Sequence, residues 1–169
     1  MDAIFDDTRL PTAIDAQPVV RAAAAMRPKL RDYKHQVETE QRLPPELVEE
    51  FRAAGFYSLV MPHSMGGLQA DPLTYQRVVE LLAEGLGSAG WNVANNGVGQ
   101  LITLGYPDEG VQEIYANGPD TILAGTAVPG GGTAVPVDGG YRVTGRWSFG
   151  SGCRLSWWKS FARPVSIAW

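Results

Sequence analysis

The residues best suited to chemistry lie between Gly139 and Cys153, in the run Gly-Gly-Tyr-Arg-Val-Thr-Gly-Arg-Trp-Ser-Phe-Gly-Ser-Gly-Cys. Two aromatics, Trp147 and Phe149, alternate there with small residues that lead into Ser151 and Gly152. Flat aromatic faces pack on planar conjugated rings, glycines let the backbone come close to such a ring, and a serine hydroxyl bonds to a ring nitrogen or carbonyl. An isoalloxazine makes those demands, and a protein's part in its chemistry is mainly positioning and electronic tuning. The same residues also suit the core of a twisted sheet, so residue types alone leave both readings open. Upstream, Trp91, Asn95 and Asn96 follow Gly90 on one predicted helix. They suit a substrate pocket in which amides orient a phenolic or carbonyl oxygen, or equally a packed tryptophan beside a solvated polar face.

Other chemistries have restrictive spacings that this chain does not meet. His35 and His63 are the only histidines and neither stands with a carboxylate at zinc-ligand spacing, so no metal site is expected. No G-x-S-x-G elbow, phosphate-loop G-K-S/T or G-x-G-x-x-G after a strand is present. Gly130-Gly131-Gly132 could cradle a phosphate through backbone N–H groups or form an ordinary loop. A formal charge of −4 and a pI near 5.1, with no basic stripe, argue against nucleic acid as a partner. Cys153 is the only cysteine, which excludes an intrachain disulfide and points to a reducing compartment. Met1–Pro11 carries four charged residues and lacks a signal-peptide core, and no run is apolar enough for a membrane span; the expected location is the cytoplasm.

The elements that must position these residues are mostly helical at first. After a flexible lead over residues 1–14, Asp15 is expected to cap a helix through Val19, Val20, Ala23, Ala24 and Met26, with Pro28 kinking or interrupting it. Pro44-Pro45 opens a second helix with Leu47, Val48, Phe51 and Ala54 on one face, ended by Gly55. Asp71-Pro72 caps a third, with Val79, Leu82, Ala83 and Leu86 at helical offsets. Ser88 to Gly105 reads as helix from the spacing of Val98, Leu101 and Ile102; Gly90, Gly97 and Gly99 suit close packing on a neighbouring helix. Pro107-Asp108-Glu109 opens a short helix whose Val111, Ile114 and Tyr115 face inward. Near Asp120 the texture changes to a strand over 121–126 and a hairpin in which Asp138-Gly139-Gly140 joins 134–137 to 141–144. The fold class is α+β: a helical domain over 15–119, then the beginning of a β-barrel-like domain over 120–169.

Several stretches resemble the acyl-CoA dehydrogenase superfamily in order and spacing. Phe51-Arg52-Ala53-Ala54-Gly55-Phe56 with Val60-Met61-Pro62 and Met65-Gly66-Gly67 is similar to that superfamily's helix, strand-like stretch and Gly-Gly turn. Val79–Ala83 leading to Gly87-Ser88-Ala89-Gly90-Trp91, and Leu104–Pro107 with Val111–Tyr115, resemble the helices that follow. The Gly139–Cys153 run resembles the stretch that lines the flavin in the middle β domain. The resemblance covers about residues 15–153. It implies a flavin, FAD or FMN, with Trp147, Phe149, Ser151, Gly152 and Thr126 as cofactor contacts and Trp91, Asn95 and Asn96 facing the substrate.

Within the superfamily the dehydrogenases carry Thr-Glu-Pro and then Gly-Ser-Asp, whereas this chain has Thr126-Ala127-Val128-Pro129-Gly130-Gly131. Ala127 and Val128 stand at the threonine and glutamate positions. That departure points away from acyl-CoA oxidation, and Arg-Trp-Ser-Phe-Gly-Ser-Gly-Cys instead resembles the reduced-flavin monooxygenases that hydroxylate aromatic rings. Such enzymes take reduced flavin from a separate reductase, act on a small-molecule substrate and assemble as homotetramers. Members are also much longer, with a helical bundle after the β domain, and Arg154 to Trp169 resembles the continuation poorly. The expectation is a truncated chain, its residues 154–169 either native or frame-shifted, that exposes sheet edges, is poorly soluble or associates in isolation, and lacks independent activity. Two alternatives stand beside the monooxygenase reading: an acyl-CoA dehydrogenase proper, and a non-catalytic helical module that contacts partners through the faces at 45–54 and 75–86.

Overall fold

Prolines set the helix starts, because a first-turn position has no intrahelical partner for an N–H and already favours proline's φ. In the computed structural model, which describes residues 13–126 and 131–156 and the backbone of 158–161, three helices open this way. They are α1 (Pro18–Asp32), α3 (Pro45–Ala53) and α4 (Pro72–Gly85). Between them lie α2 (Lys34–Glu40) and 3₁₀ turns at Phe56–Ser58 and His63–Met65. Then come α5 (Gly87–Thr103) and α6 (Asp108–Ile114). Four strands follow: β1 (Leu123–Thr126), β2 (Gly132–Val137), β3 (Gly140–Gly145) and β4 (Trp158–Phe161).

The cap at Asp71 is as expected, its carboxylate accepting from the N–H groups of Leu73 and Thr74 at 3.0 and 3.1 Å. These bonds hold its carboxyl below the usual carboxylate range, the Thr74 hydroxyl contributing most. Asp15, in contrast, is not the N-cap of α1. Pro18 starts α1 from Gln17, and Asp15 instead accepts from Arg77 Nε at 2.9 Å, tying the lead-in to α4. Pro28 does not interrupt α1, which continues to Asp32 because Leu30 is buried beyond it and Arg27 pairs with Glu84 on α4.

The core lies among α1, α3, α4 and α5. Phe51 is its centre, edge-on to Phe56 with ring centroids 5.3 Å apart. On α4 the buried stripe is Thr74, Val78, Leu81 and Leu82, rotated from the expected one so that Ala83 is exposed. The faces at 45–54 and 75–86 are therefore buried inside this chain and unavailable as partner surfaces, which corrects the interaction-module reading. α5 packs against α4 without Cβ atoms at Gly90 and Gly97, positions where an added carbon would fall 2.6 Å from Ala83 Cβ and from the Tyr75 ring. Gly99 faces β1 at Leu123 instead of a helix. Val98, Leu101 and Ile102 lie on the opposite side of α5 and are exposed.

Among the described residues the strands form two small sheets. β2 and β3 pair antiparallel, with Val137 opposite Gly140 at the turn, and β1 pairs parallel with β4. Val135, Tyr141 and Val143 on the hairpin are exposed. No helix among the described residues is long and apolar enough to cross a membrane.

Burial raises the phenol pKa of Tyr57, and those of Tyr75 and Tyr115, above the ordinary tyrosine range. In the unfolded chain these phenols ionise near pH ~10 while the folded chain keeps them protonated. Stability is thus complete below about pH 10 and falls as pH rises through the folded values, because the unfolded state then binds fewer protons. Urea midpoints at pH 8 and pH 11 should show a drop, with part of the slope removed in Tyr57→Phe; a midpoint independent of pH would contradict this.

Candidate functional site

The residues of the site are carried by the inner face and one edge of α5. Its inner face is polar where an apolar one would be usual: Asn96, Gln100 and Thr103 are all buried. Asn96 Nδ2 donates to Tyr57 O at 3.2 Å, while its Oδ1 accepts from Leu123 N at 2.8 Å. Gln100 Nε2 donates to Tyr57 O and to Pro119 O. Thr103 Oγ1 lies 2.7 Å from the Tyr115 hydroxyl. These amides join the 3₁₀ turn at Phe56–Ser58 and the first strand to α5. Both ends of the Asn96 amide are thereby engaged by backbone groups, which makes it a clamp between these segments.

One edge of α5 meets the turn at 149–153. Trp91 Nε1 donates to Ser151 Oγ at 3.0 Å, a bond between side chains sixty residues apart in the chain. Beside it Asn92 Oδ1 accepts from the Tyr57 hydroxyl at 2.7 Å. Gly152 has φ +78, and a Cβ there would sit 3.7 Å from Asn92 Nδ2 and 3.5 Å from Leu123 O. The turn is further fixed by Ser151 N donating to Phe149 O at 2.9 Å and by an antiparallel bridge between Ser151 and Gly125. Phe149 has φ +60 and is 84% exposed. A bulky residue in the left-handed region is a strained conformer, of the kind that concentrates at functional sites.

Between this turn, α5 and the end of α2 lies a cavity of about 460 Å³, within the range usual for small-molecule sites. Trp91, Asn92, Ser151 and Gly152 line it together with Arg42 and Arg154. The structure therefore brings Trp91, Ser151 and Gly152 together at this cavity, with Phe149 on the same turn, whereas Asn95, Asn96, Trp147 and Thr126 are not among its lining residues. Asn95 donates to the carbonyl of Trp91 within its own helix at 2.9 Å. Trp147 lies over Gly131, Gly132 and Gly145, whose added Cβ atoms would meet its ring at 2.3 to 2.6 Å. The indole fills the space in which Gly131 and Gly132 could have cradled a phosphate. Thr126 ends β1, and Ala127 to Gly130 lie outside the described residues. Sequence reasoning missed Asn92 and Arg42; the proximity of Asn92 to Trp91 was the one signal available.

The acyl-CoA dehydrogenase N-terminal domain family matches residues 17–113. The oxygenase subunit HsaA of a flavin-dependent monooxygenase from Mycobacterium tuberculosis is 34% identical over 151 residues, covering 89% of this chain and 38% of that protein. The oxygenase component of an FADH2-dependent resorcinol hydroxylase from Rhizobium sp. is 28% identical, over 90% of this chain and 38% of its own length. Among solved structures, the 3-HSA hydroxylase from Rhodococcus sp. RHA1 superposes with a TM-score of 0.81 at 29% identity, over 88% of this chain and 38% of that one. The chain thus spans about 38% of the length of these relatives.

Proposed function

We propose that this chain, which belongs to the acyl-CoA dehydrogenase N-terminal domain family, carries the helical part and the flavin-facing turn of a reduced-flavin monooxygenase acting on an aromatic substrate. The observation that carries the reading is the Trp91–Ser151 bond at the wall of a cavity, beside an outward-facing Phe149 held at positive φ. A flavin ring fits these residues. Phe149 offers a flat apolar face, Gly150 and Gly152 allow close approach, and the Ser151 hydroxyl can donate to a ring nitrogen or carbonyl. Trp147, beside Gly131, Gly132 and Gly145, and Thr126, at the end of β1, complete the proposed set of cofactor contacts. The division between helical and β portions falls at 118–121, between α6 and β1.

When bound, reduced flavin supplies the electrons that activate molecular oxygen for transfer to an aromatic ring. The chain's own contribution is positioning. Ser151 and Phe149 would orient the ring system, and Trp91 and Asn92, which line the adjacent cavity, would limit the access of water to it once the ring is bound. The relatives described as oxygenase subunits or components support a separate reductase as the source of reduced flavin; the resemblance alone suggests a homotetramer for the whole enzyme.

Titration of FMN and FAD into the protein, followed by flavin fluorescence, tests the reading. Saturable quenching is expected; it should be weakened in Phe149→Ala and perturbed by resorcinol but not by octanoyl-CoA. Absence of saturable quenching counts against a flavin site, and a response to the thioester alone would move the chain to the dehydrogenase branch.

A further inference from the structure

We propose that Trp91 is a positioning residue that fixes the hydrogen-bonding polarity of Ser151, holding its oxygen as an acceptor so that its own hydrogen serves as a donor to the bound ring. The inference deepens the flavin reading and rests on it. An indole has one N–H and no acceptor, so the Trp91–Ser151 bond can run in one direction only. A hydroxyl that accepts from a fixed donor has one rotor left to satisfy, and no described residue accepts from the Ser151 O–H. Had residue 91 been asparagine or serine, either group could have donated, and the Ser151 hydrogen could have turned back onto α5.

Surrounding geometry supports a positioning role over simple packing. Trp91 is 63% exposed, so burial does not hold the indole in place, and a tryptophan packed for stability would cover its ring instead. The neighbouring Asn92 is itself oriented by the Tyr57 hydroxyl and reaches toward Gly152, so two consecutive side chains of α5 bracket the turn from below. On the other side the Gly125–Ser151 bridge holds the backbone. Ser151 is thus fixed through main chain and side chain at once, which pre-organises a donor before any ligand arrives.

The test uses the ¹⁵N-labelled 169-residue chain, read by proton–nitrogen spectra and by FMN titration. Trp91→Phe identifies the Trp91 indole resonance by its loss. Ser151→Ala should move that resonance and speed its solvent exchange about tenfold, whereas Ser151→Thr, which keeps the hydroxyl, should leave it near its wild-type position. FMN affinity should fall about fivefold to tenfold in Trp91→Phe and in Ser151→Ala, as expected for one hydrogen bond, with the double variant no weaker than either single one. An indole resonance indifferent to Ser151→Ala overturns the positioning role, and so do affinity losses that simply add. An intact indole response in a wild-type chain that binds no FMN overturns the flavin reading and the donor assignment while leaving the Trp91–Ser151 contact established, so the two failures are distinguishable.

Discussion

Replacing Asn96 by leucine will lower the unfolding free energy by about 2–4 kcal/mol, a large part of what a domain of this size has. Leu123 N donates to Asn96 Oδ1 at a buried position, and leucine offers no acceptor, so that N–H would be left without a partner. The lost bond to Tyr57 O matters less, because Gln100 Nε2 donates to the same carbonyl. Gln100→Leu should be milder, because Asn96 still serves Tyr57 O and the substitution removes Gln100 Oε1, which is buried with no partner; its cost is the lost bond to the part-buried Pro119 O. The double variant should cost more than the sum of the two, since Tyr57 O then loses both donors. Urea unfolding of the three variants reads this directly; an Asn96→Leu chain as stable as wild type would remove Asn96 from the clamp.

That clamp also shows where sequence reasoning reached its end. Helix starts at Pro45 and Pro72 were legible because proline geometry and the Asp71 cap act within a few residues, and the hairpin at 138–140 was legible for the same reason. α2 was not foreseen, since Val37 is its one buried residue and leaves no periodic apolar signal. Asp15 offered the right chemistry for a cap, but Pro18 and a long-range pairing with Arg77 decided otherwise. Asn96 is the sharpest case. An amide serves a ligand and a pair of backbone groups equally well, and only the fold, by bringing Tyr57 and Leu123 to it, determines which. Trp91 and Ser151 were each singled out from the sequence, yet their bond spans sixty residues and no local pattern announces it.

The apolar pattern of α5 carried a second ambiguity of the same kind. Val98, Leu101 and Ile102 recur at helical spacing and mark the helix correctly, while the face that enters the core is built from Ala89, Val93, Gly97 and the buried amides. Periodicity reports that a face exists and is silent on what covers it. Small residues were the better guide to the inward side, because α4 comes too close to α5 there for anything larger.

This closeness gives the second large effect. Gly90→Val will destabilise the chain by about 2–4 kcal/mol, and Gly90→Ala by a lesser amount of the same sign, from overpacking against α4. A Cβ at Gly90 would lie 2.8 Å from both Val79 O and Ala83 N, which are backbone atoms of α4 and cannot rotate away. Helix propensity works in the opposite direction, favouring alanine over glycine by about 1 kcal/mol, so the sign of Gly90→Ala measures whether contact outweighs propensity. Gly87 in the first turn of the same helix supplies the contrast: nothing stands within 4 Å of its added Cβ, and Gly87→Ala should be neutral or stabilising. The consequence extends to the site, because Gly90 immediately precedes Trp91. If α5 moves away from α4 to admit a side chain, the indole is carried with it and the 3.0 Å contact to Ser151 lengthens. Gly90→Ala should then weaken FMN binding together with stability, whereas Gly87→Ala should leave both intact; equal behaviour of the two variants would show that the α4–α5 contact does not set the position of Trp91.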